Sequence, residues 1–495
     1  MKKLLVANRG EIALRILRTA RRMGLTTVAV YSEADAHAPH VRFADEAYCI
    51  GPPPARDSYL RGDHLIELCQ RIGADALHPG YGFLSENAAF CRAVAAAGIT
   101  FVGPPPEAME LMGSKIASKQ AVKGYGVPLV PGVDHAIANP DEALRVAREV
   151  GLPVLIKASA GGGGKGMRIV EREADLAEQM QLAVSEALNA FGDGSVFIER
   201  YVTQPRHIEI QVLADAHGHV VHLFERECSI QRRHQKVVEE APSALLSPEL
   251  RHRMGEAAVS VCRACGYVNA GTVEFLVDAQ GQFYFLEMNT RLQVEHPVTE
   301  LITGLDLVEQ QLRIAQGEPL AFSQDDLRIK GHAIEIRVCA EDPRNNFLPD
   351  TGTLHVYRPP RGKGIRLDGG YTEGMEVSVY YDPLLAKLIV HGPNRPAAIR
   401  RLIEAIDGFV VVGVETTLPF CRYVLEHPAF VSGQFDTGFV QAHFQPEALA
   451  EAPADAQAAA LLGAAIWQAV AEAGDDPQRI AERRNITAWE LRHGW

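Results

Sequence analysis

The chain has 495 residues, about three domains' worth at roughly 150 residues each. Apolar residues at 47% against 22% charged exclude a mainly disordered polymer. The net charge of −13 opposes non-specific binding to nucleic acid or an anionic membrane, so an anionic substrate needs a local cluster of positive charge.

Residues 4–7 are expected to form a strand, 11–23 an amphipathic helix and 26–31 a second strand. A helix over 60–72 and strands over 74–77 and 99–102 continue the alternation. Such alternation predicts an α/β unit with a parallel sheet. Asn8-Arg9-Gly10 at the first strand's end carries one glycine, too few for a dinucleotide fingerprint. The apolar stretch at 4–7 is too short for a signal peptide, and no run approaches the ~18 residues of a membrane span. Eight scattered cysteines suit a reducing, cytoplasmic setting. Cys262 and Cys265 form a CxxC without the second ligand pair that zinc requires.

Between 154 and 170 the pattern is strand, glycine run, strand. Lys157 lies on the first strand; Gly161, Gly162, Gly163, Gly164, Lys165 and Gly166 form the loop. Met167 and Arg168 stand where a Walker motif needs Lys and Ser/Thr, which excludes it. Bare backbone bracketed by lysines suits a flap over phosphates, although a flexible hairpin tip fits the same residues.

Residues 271–278 and 282–289 read as a hairpin. A tight turn at Gln280-Gly281 puts Glu274 opposite Glu287, about 5 Å apart. Facing carboxylates repel and call for a cation; Mg²⁺ or Mn²⁺ bridging phosphates fits, with Asn289 as a further oxygen donor. An arginine partner or a different register is the alternative. In 290–297, Pro297 favours extended geometry before it, which aligns Arg291, Gln293 and Glu295. That line can hold a small anion while Glu295 takes its proton; an exposed loop ion pair accounts for the same residues. The basic run 231–236 is a solvated face, a nucleic-acid patch or a polyphosphate site, and the net charge disfavours the second. His207 and Glu209 sit in a similar, weaker cluster.

Further on, strands are expected over 332–338, 353–358, 376–379 and 387–391, a helix over 396–406, and an alanine-rich helix over 455–473.

The segments 7–13, 78–87, 231–240 and 287–299, in this order and spacing, resemble biotin carboxylase. The resemblance covers residues 1 to about 445. It implies a multidomain α/β and α+β protein: a Rossmann-like domain over 1–112, an ATP-grasp domain over 113–330 with a glycine-rich lid near 131–203, and a C-terminal domain over 331–445. Residues 446–495 follow as a helical tail available to partners. The implied reaction is ATP- and bicarbonate-dependent carboxylation of biotin through carboxyphosphate. Implied ATP contacts are Lys115, Lys157, the 161–166 loop, Glu199, His207, Gln231, His234, Glu274 and Glu287. Glu274, Glu287 and Asn289 would hold two Mg²⁺ or Mn²⁺ ions. Lys236, Arg291, Gln293, Val294 and Glu295 would bind bicarbonate, with Glu295 as base. Arg337 and Tyr81 would meet biotin. No Met-Lys-Met is present, so biotin is expected on a separate biotin carboxyl carrier protein, with a carboxyltransferase subunit and a homodimer as further partners. An acetyl-CoA or other acyl-CoA carboxylase, as in fatty acid biosynthesis, is the implied setting. Another ATP-grasp ligase, such as one making carbamoyl phosphate, and a catalytically lost regulatory subunit are the alternatives.

Overall fold

The computed structural model describes residues 1–159, 166–449 and Leu462. The chain divides into two units, Met1–Pro446 and Glu447–Trp495. Apart from Leu462, the helix expected over 455–473 lies outside the described residues, as does the loop 160–165.

The first unit opens with strands β1 (Lys3–Val6), β2 (Thr26–Ser32), β3 (Glu46–Gly51), β4 (Ala76–His78) and β5 (Thr100–Phe101). They form a parallel sheet in the order β3-β2-β1-β4-β5. Both faces are buried. Leu4, Val6 and Ala29 pack on Ile12, Ile16 and Leu17 of helix Gly10–Arg22. Leu5, Val28 and Val30 pack against Leu65, Leu68 and Val94 on the other side. That two-sided burial explains continuous apolar strands rather than alternating ones. Edge strand β3 lies outside the expected elements; it is only partly buried and carries a weaker apolar pattern.

A small antiparallel sheet follows, with β6 (Val154–Ala158) central between β7 (Met167–Val170) and β8 (Val196–Arg200). Helices Pro140–Val150 and Leu176–Phe191 accompany it, and their apolar residues share one core with Val154, Ile156 and Ile198. Asn139 caps the first of these helices, with proline at the position where a missing N–H costs least.

Strands β9 (Arg206–Ala214), β10 (Val220–Arg232), β11 (Gln235–Ala241), β12 (Asn269–Val277), β13 (Phe283–Asn289) and β14 (His332–Cys339) belong to a larger antiparallel sheet. Its order is β13-β12-β9-β10-β11-β14, continued by Leu384–Gly392 and Ile365–Gly369. The sheet therefore runs without a break across residue 330. Alternation along β9 sends Ile208, Ile210 and Val212 into an apolar core with Met254, Ala258 and Val261 of helix Pro248–Ala264. His207, Glu209 and Gln211 alternate to the opposite face.

Candidate active site

The polar face of the large sheet, the three-stranded sheet and the carboxyl end of β1 enclose a cavity of about 1770 Å³. Ligand sites of open parallel sheets lie at such strand ends. Tyr81, Lys115, Lys157, Glu199, His207, Gln231, His234 and Lys236 all line it. So do Glu274, Glu287, Asn289, Arg291, Gln293, Val294 and Arg337. Gly161 to Lys165 lie outside the described residues. Gly166 adopts φ +70°, and a Cβ there would fall 2.8 Å from that of Ala158.

Glu274 and Glu287 are direct cross-strand partners. The expected tight turn is not how this comes about. Asp278 N donates to Gln282 O, so the connection is a residue longer, and Phe275 pairs with Phe285. A bulge between the Phe275 and Glu274 pairs inserts Leu286 and restores the register. The extra residue also turns Glu287 to the cavity while Phe285 stays in the core.

The expected extended line of Arg291, Gln293 and Glu295 is replaced by a turn. Glu295 is the N-cap of helix His296–Thr303, and Pro297 sits in the first helical turn. There its missing N–H removes no bond, so proline starts the helix instead of prolonging an extended segment. The turn still gathers the three side chains. Arg291 Nη1 donates to Gln293 Oε1 at 2.9 Å, and Gln293 Nε2 donates to Glu274 Oε1 at 3.2 Å. Arg291 Nη2 donates to Asn289 Oδ1 at 2.9 Å and Nε to Glu86 Oε2 at 2.7 Å.

Lys236 holds the centre. Its Nζ donates to Glu295 Oε1 at 2.7 Å, to Glu274 Oε1 at 2.9 Å and to Glu209. Arg337 Nη2 donates to Glu295 Oε2 at 3.0 Å, while its Nε donates to Glu239 Oε1 at 2.7 Å. Glu295 is 0% exposed behind these two cations. Burial alone would raise its pKa; Lys236, Arg337 and Arg226 outweigh that and hold it well below the usual carboxylate range. For Glu274, burial is likewise outweighed by Lys236 and His207, which lies 3.0 Å from Oε2. Glu287 goes the other way: burial and the charge of Glu274 push it up.

The compact basic run is a hairpin end. Arg232 pairs with Gln235, and Arg233 and His234 both take positive φ, 49° and 66°. This tight connection turns His234 and Lys236 into the cavity. Gln231, which also lines the cavity, donates its Nε2 to Cys228 O at 3.0 Å. At the cavity's other end, Lys157 Nζ lies 2.7 Å from Glu199 Oε2, and Lys119 binds the same carboxylate. Tyr81 donates to Glu11.

Sequence reasoning did not assign Lys119, Glu209, Arg226 or Glu239 a role. Alternation in β9 was a usable sign for Glu209; it faces Glu274 across β9–β12. For the others no local pattern exists, because their partners come from distant segments.

Ligand-type atoms of His207, Glu209 and Glu274, and of Glu209, Cys228 and Glu295, approach within 4.8 Å. Lys236 already supplies positive charge to both groups. The pair Glu274–Glu287 differs. Glu287 has no ion pair among the described residues and faces a second buried carboxylate. Hard oxygen donors with that unmet charge fit Mg²⁺. Cys262 and Cys265 both remain free, and the Cys265 thiol faces helix carbonyls.

One cavity in an α/β chain thus gathers lysines, a facing carboxylate pair and the cations around Glu295, side chains suited to a phosphorylated substrate and a second anion. Family models agree. Residues 1–109 match the biotin carboxylase N-terminal domain and 335–442 the biotin carboxylase C-terminal domain. Residues 114–323 match the ATP-binding domain of the carbamoyl-phosphate synthase L chain. The biotin carboxylase of Halalkalibacterium halodurans is 52% identical over 444 residues, 90% of this chain and 98% of that one. The propionyl-CoA carboxylase alpha chain of Ruegeria pomeroyi is 54% identical over 458 residues, 88% of this chain and 67% of that one. The biotin carboxylase domain dimer of Hydrogenobacter thermophilus 2-oxoglutarate carboxylase, solved with MgADP, ADP and bicarbonate, aligns with TM-score 0.87 at 48% identity. That alignment covers 91% of this chain and 99% of the other. The chain belongs to the biotin carboxylase family of ATP-dependent ligases. No described helix is long and apolar enough to cross a membrane.

Proposed function

We propose that this chain carboxylates biotin carried on a separate protein, using ATP and bicarbonate, as the first half-reaction of an acyl-CoA or related carboxylase. The observation that carries this reading is the convergence of Lys236, Arg291, Gln293 and Arg337 on one wall beside Glu295, with Lys115 and Lys157 further along the same cavity. Two anions can thus be held in one enclosure.

In this reading Lys115 and Lys157 take the ATP phosphates, the 161–166 loop covers them, and Glu199, His207, Gln231 and His234 complete the nucleotide site. Glu274 and Glu287, with Asn289 beside them, would hold Mg²⁺, which neutralises phosphate charge when bound. Bicarbonate binds to Lys236, Arg291, Gln293 and the Val294 backbone. As a competing anion it draws Lys236 and Arg337 away from Glu295. Losing those cations raises the proton affinity of Glu295, so the buried carboxylate becomes a base only when substrate is present. A bicarbonate oxygen then bonds to the γ-phosphorus and ADP leaves. The carboxyphosphate splits into CO₂ and phosphate inside a closed site, the phosphate takes the ureido proton of biotin, and the freed nitrogen bonds to CO₂. Arg337 stabilises the biotin enolate once its ureido N–H is deprotonated, with Tyr81 beside the ring.

The domain divisions at 112/113 and 330/331, a second metal ion, a homodimer and a cytoplasmic location belong to the same reading. The final acceptor is chosen by the carboxyltransferase partner. The test is Mg²⁺- and bicarbonate-dependent ATP hydrolysis with and without free biotin. Stimulation by biotin supports the reading; hydrolysis indifferent to biotin and bicarbonate overturns it. Carbamoyl phosphate formed from an ammonia source would identify the other ligase chemistry.

A further inference from the structure

Directly behind Arg337 lie two facing carboxylates that the reaction does not use. Glu239 on β11 and Glu335 on β14 are register partners, and both are 0% exposed. Glu239 Oε1 accepts from Arg337 Nε at 2.7 Å. Among the described residues its Oε2 has no hydrogen-bond donor, and neither oxygen of Glu335 has one. Three orphaned carboxylate oxygens on adjacent buried strands are costly unless a proton joins them.

The neighbouring charges are already committed. On β14 itself, Arg337 divides its donors between Glu239 and Glu295. From Leu384–Gly392, Lys387 Nζ donates to Val294 O at 2.8 Å and lies 3.2 Å from Glu11 Oε1, while His391 meets Lys330 O. From the helix His296–Thr303 and its cap, Glu295 adds negative charge, His296 is held neutral by burial, and Glu300 is paired with Arg15 and Arg366. No unpaired cation among the described residues meets Glu335. Like charges directly opposite across a ladder cannot both ionise at no cost.

We propose that Glu335 is a positioning residue for Arg337: held as a neutral carboxyl, it donates its proton to Glu239 Oε2 and leaves on Glu239 the single charge that orients the guanidinium. One shared proton links the two carboxylates and satisfies two of the three orphaned oxygens. Burial pushes Glu335 well above the ordinary carboxylate range, and Glu239 up to about 7, in keeping with this. Full ionisation at alkaline pH adds a second negative charge behind Arg337 and draws it from the cavity. The role in turnover rests on the biotin carboxylase reading; the proton itself does not.

Two measurements test it on the full chain. An infrared difference spectrum of wild type against Glu335→Gln at neutral pH should show the C=O band of a protonated carboxyl lost in the variant. This readout needs no substrate, so it stands apart from the assigned activity. For biotin-dependent ATP turnover, Glu335→Gln keeps a donor to Glu239 and should stay within about twofold of wild type while losing the alkaline fall. Glu335→Leu lacks the donor and should lose about tenfold in kcat with KM for ATP unchanged. Absence of the band overturns the proposal, as does a folded Glu335→Gln no better than Glu335→Leu. If the leucine variant does not fold, the band and the Glu335→Gln pH profile decide.

Discussion

Glu274 and Glu287 face each other because β13 carries one extra residue, Leu286, between Phe285 and Glu287. Without that bulge the two-residue alternation would put Glu287 on the same side as Phe285, in the apolar core. The bulge thus builds a carboxylate pair at the edge of an otherwise apolar hairpin, where a bound cation would relieve the repulsion within it.

Glu287→Gln separates that repulsion from metal binding. The folded state raises the Glu287 pKa, so its favourable contribution is full below the unfolded value and lost as pH rises through the folded one. In metal-free protein Glu287→Gln should therefore melt higher than wild type at neutral pH, with the difference fading towards pH ~4. The same variant should need roughly 10–100-fold more Mg²⁺ for turnover. Calorimetry and a Mg²⁺ titration check the two halves; a lower melting point at neutral pH would contradict the first.

Glu295 has the opposite sign. Its folded pKa lies well below the usual range, so it stabilises the protein above its unfolded value, and that stability is lost as pH falls through the folded one. Glu295→Gln should be less stable than wild type at pH 7, with the gap closing only in acid. Biotin-dependent turnover should fall by roughly 10²–10⁴-fold while ATP binding persists. Near-normal turnover in this variant would remove Glu295 as the base.

Lys236→Met leaves Glu209, Glu274 and Glu295 facing one another without their shared ammonium. Breaking such a buried arrangement is expected to cost about 3–5 kcal/mol in denaturant unfolding. The bicarbonate requirement should rise as well. A stability loss under about 1 kcal/mol would show that the carboxylates find another partner or take up protons cheaply.

Arg337→Gln should abolish stimulation by biotin while sparing most bicarbonate-dependent ATP hydrolysis, because Arg337 touches Glu295 and Glu239 but no residue of the lysine end. A loss of roughly 10²-fold confined to the biotin-dependent rate is expected. Equal loss of both rates would place Arg337 on the phosphate side instead.

Local periodicity was enough for much of the architecture. Apolar strands alternating with amphipathic helices gave away the parallel sheet, since burial on two faces needs only short-range pattern. The Glu274–Glu287 pair was legible too, though through a turn that is not the one formed; a longer connection and a bulge compensated each other. The line Arg291–Gln293–Glu295 was legible as a set of residues but not as a shape, because Pro297 opens a helix there.

What the sequence by itself determined is therefore the inner strands and first helix of the parallel sheet, the hairpin that carries the facing glutamates, the family motifs and the kinds of side chain at the site. Tertiary structure alone decided how their charges are met. Lys236 reaches Glu295 59 residues away, Arg337 reaches Glu239 98 residues back, and Arg291 meets Glu86 across 205 residues. Elements form from neighbours within a few residues, so their pattern is written locally. A buried charge is neutralised by whichever opposite group the folded sheet brings within about 3 Å, and strand order, not local sequence, sets that choice.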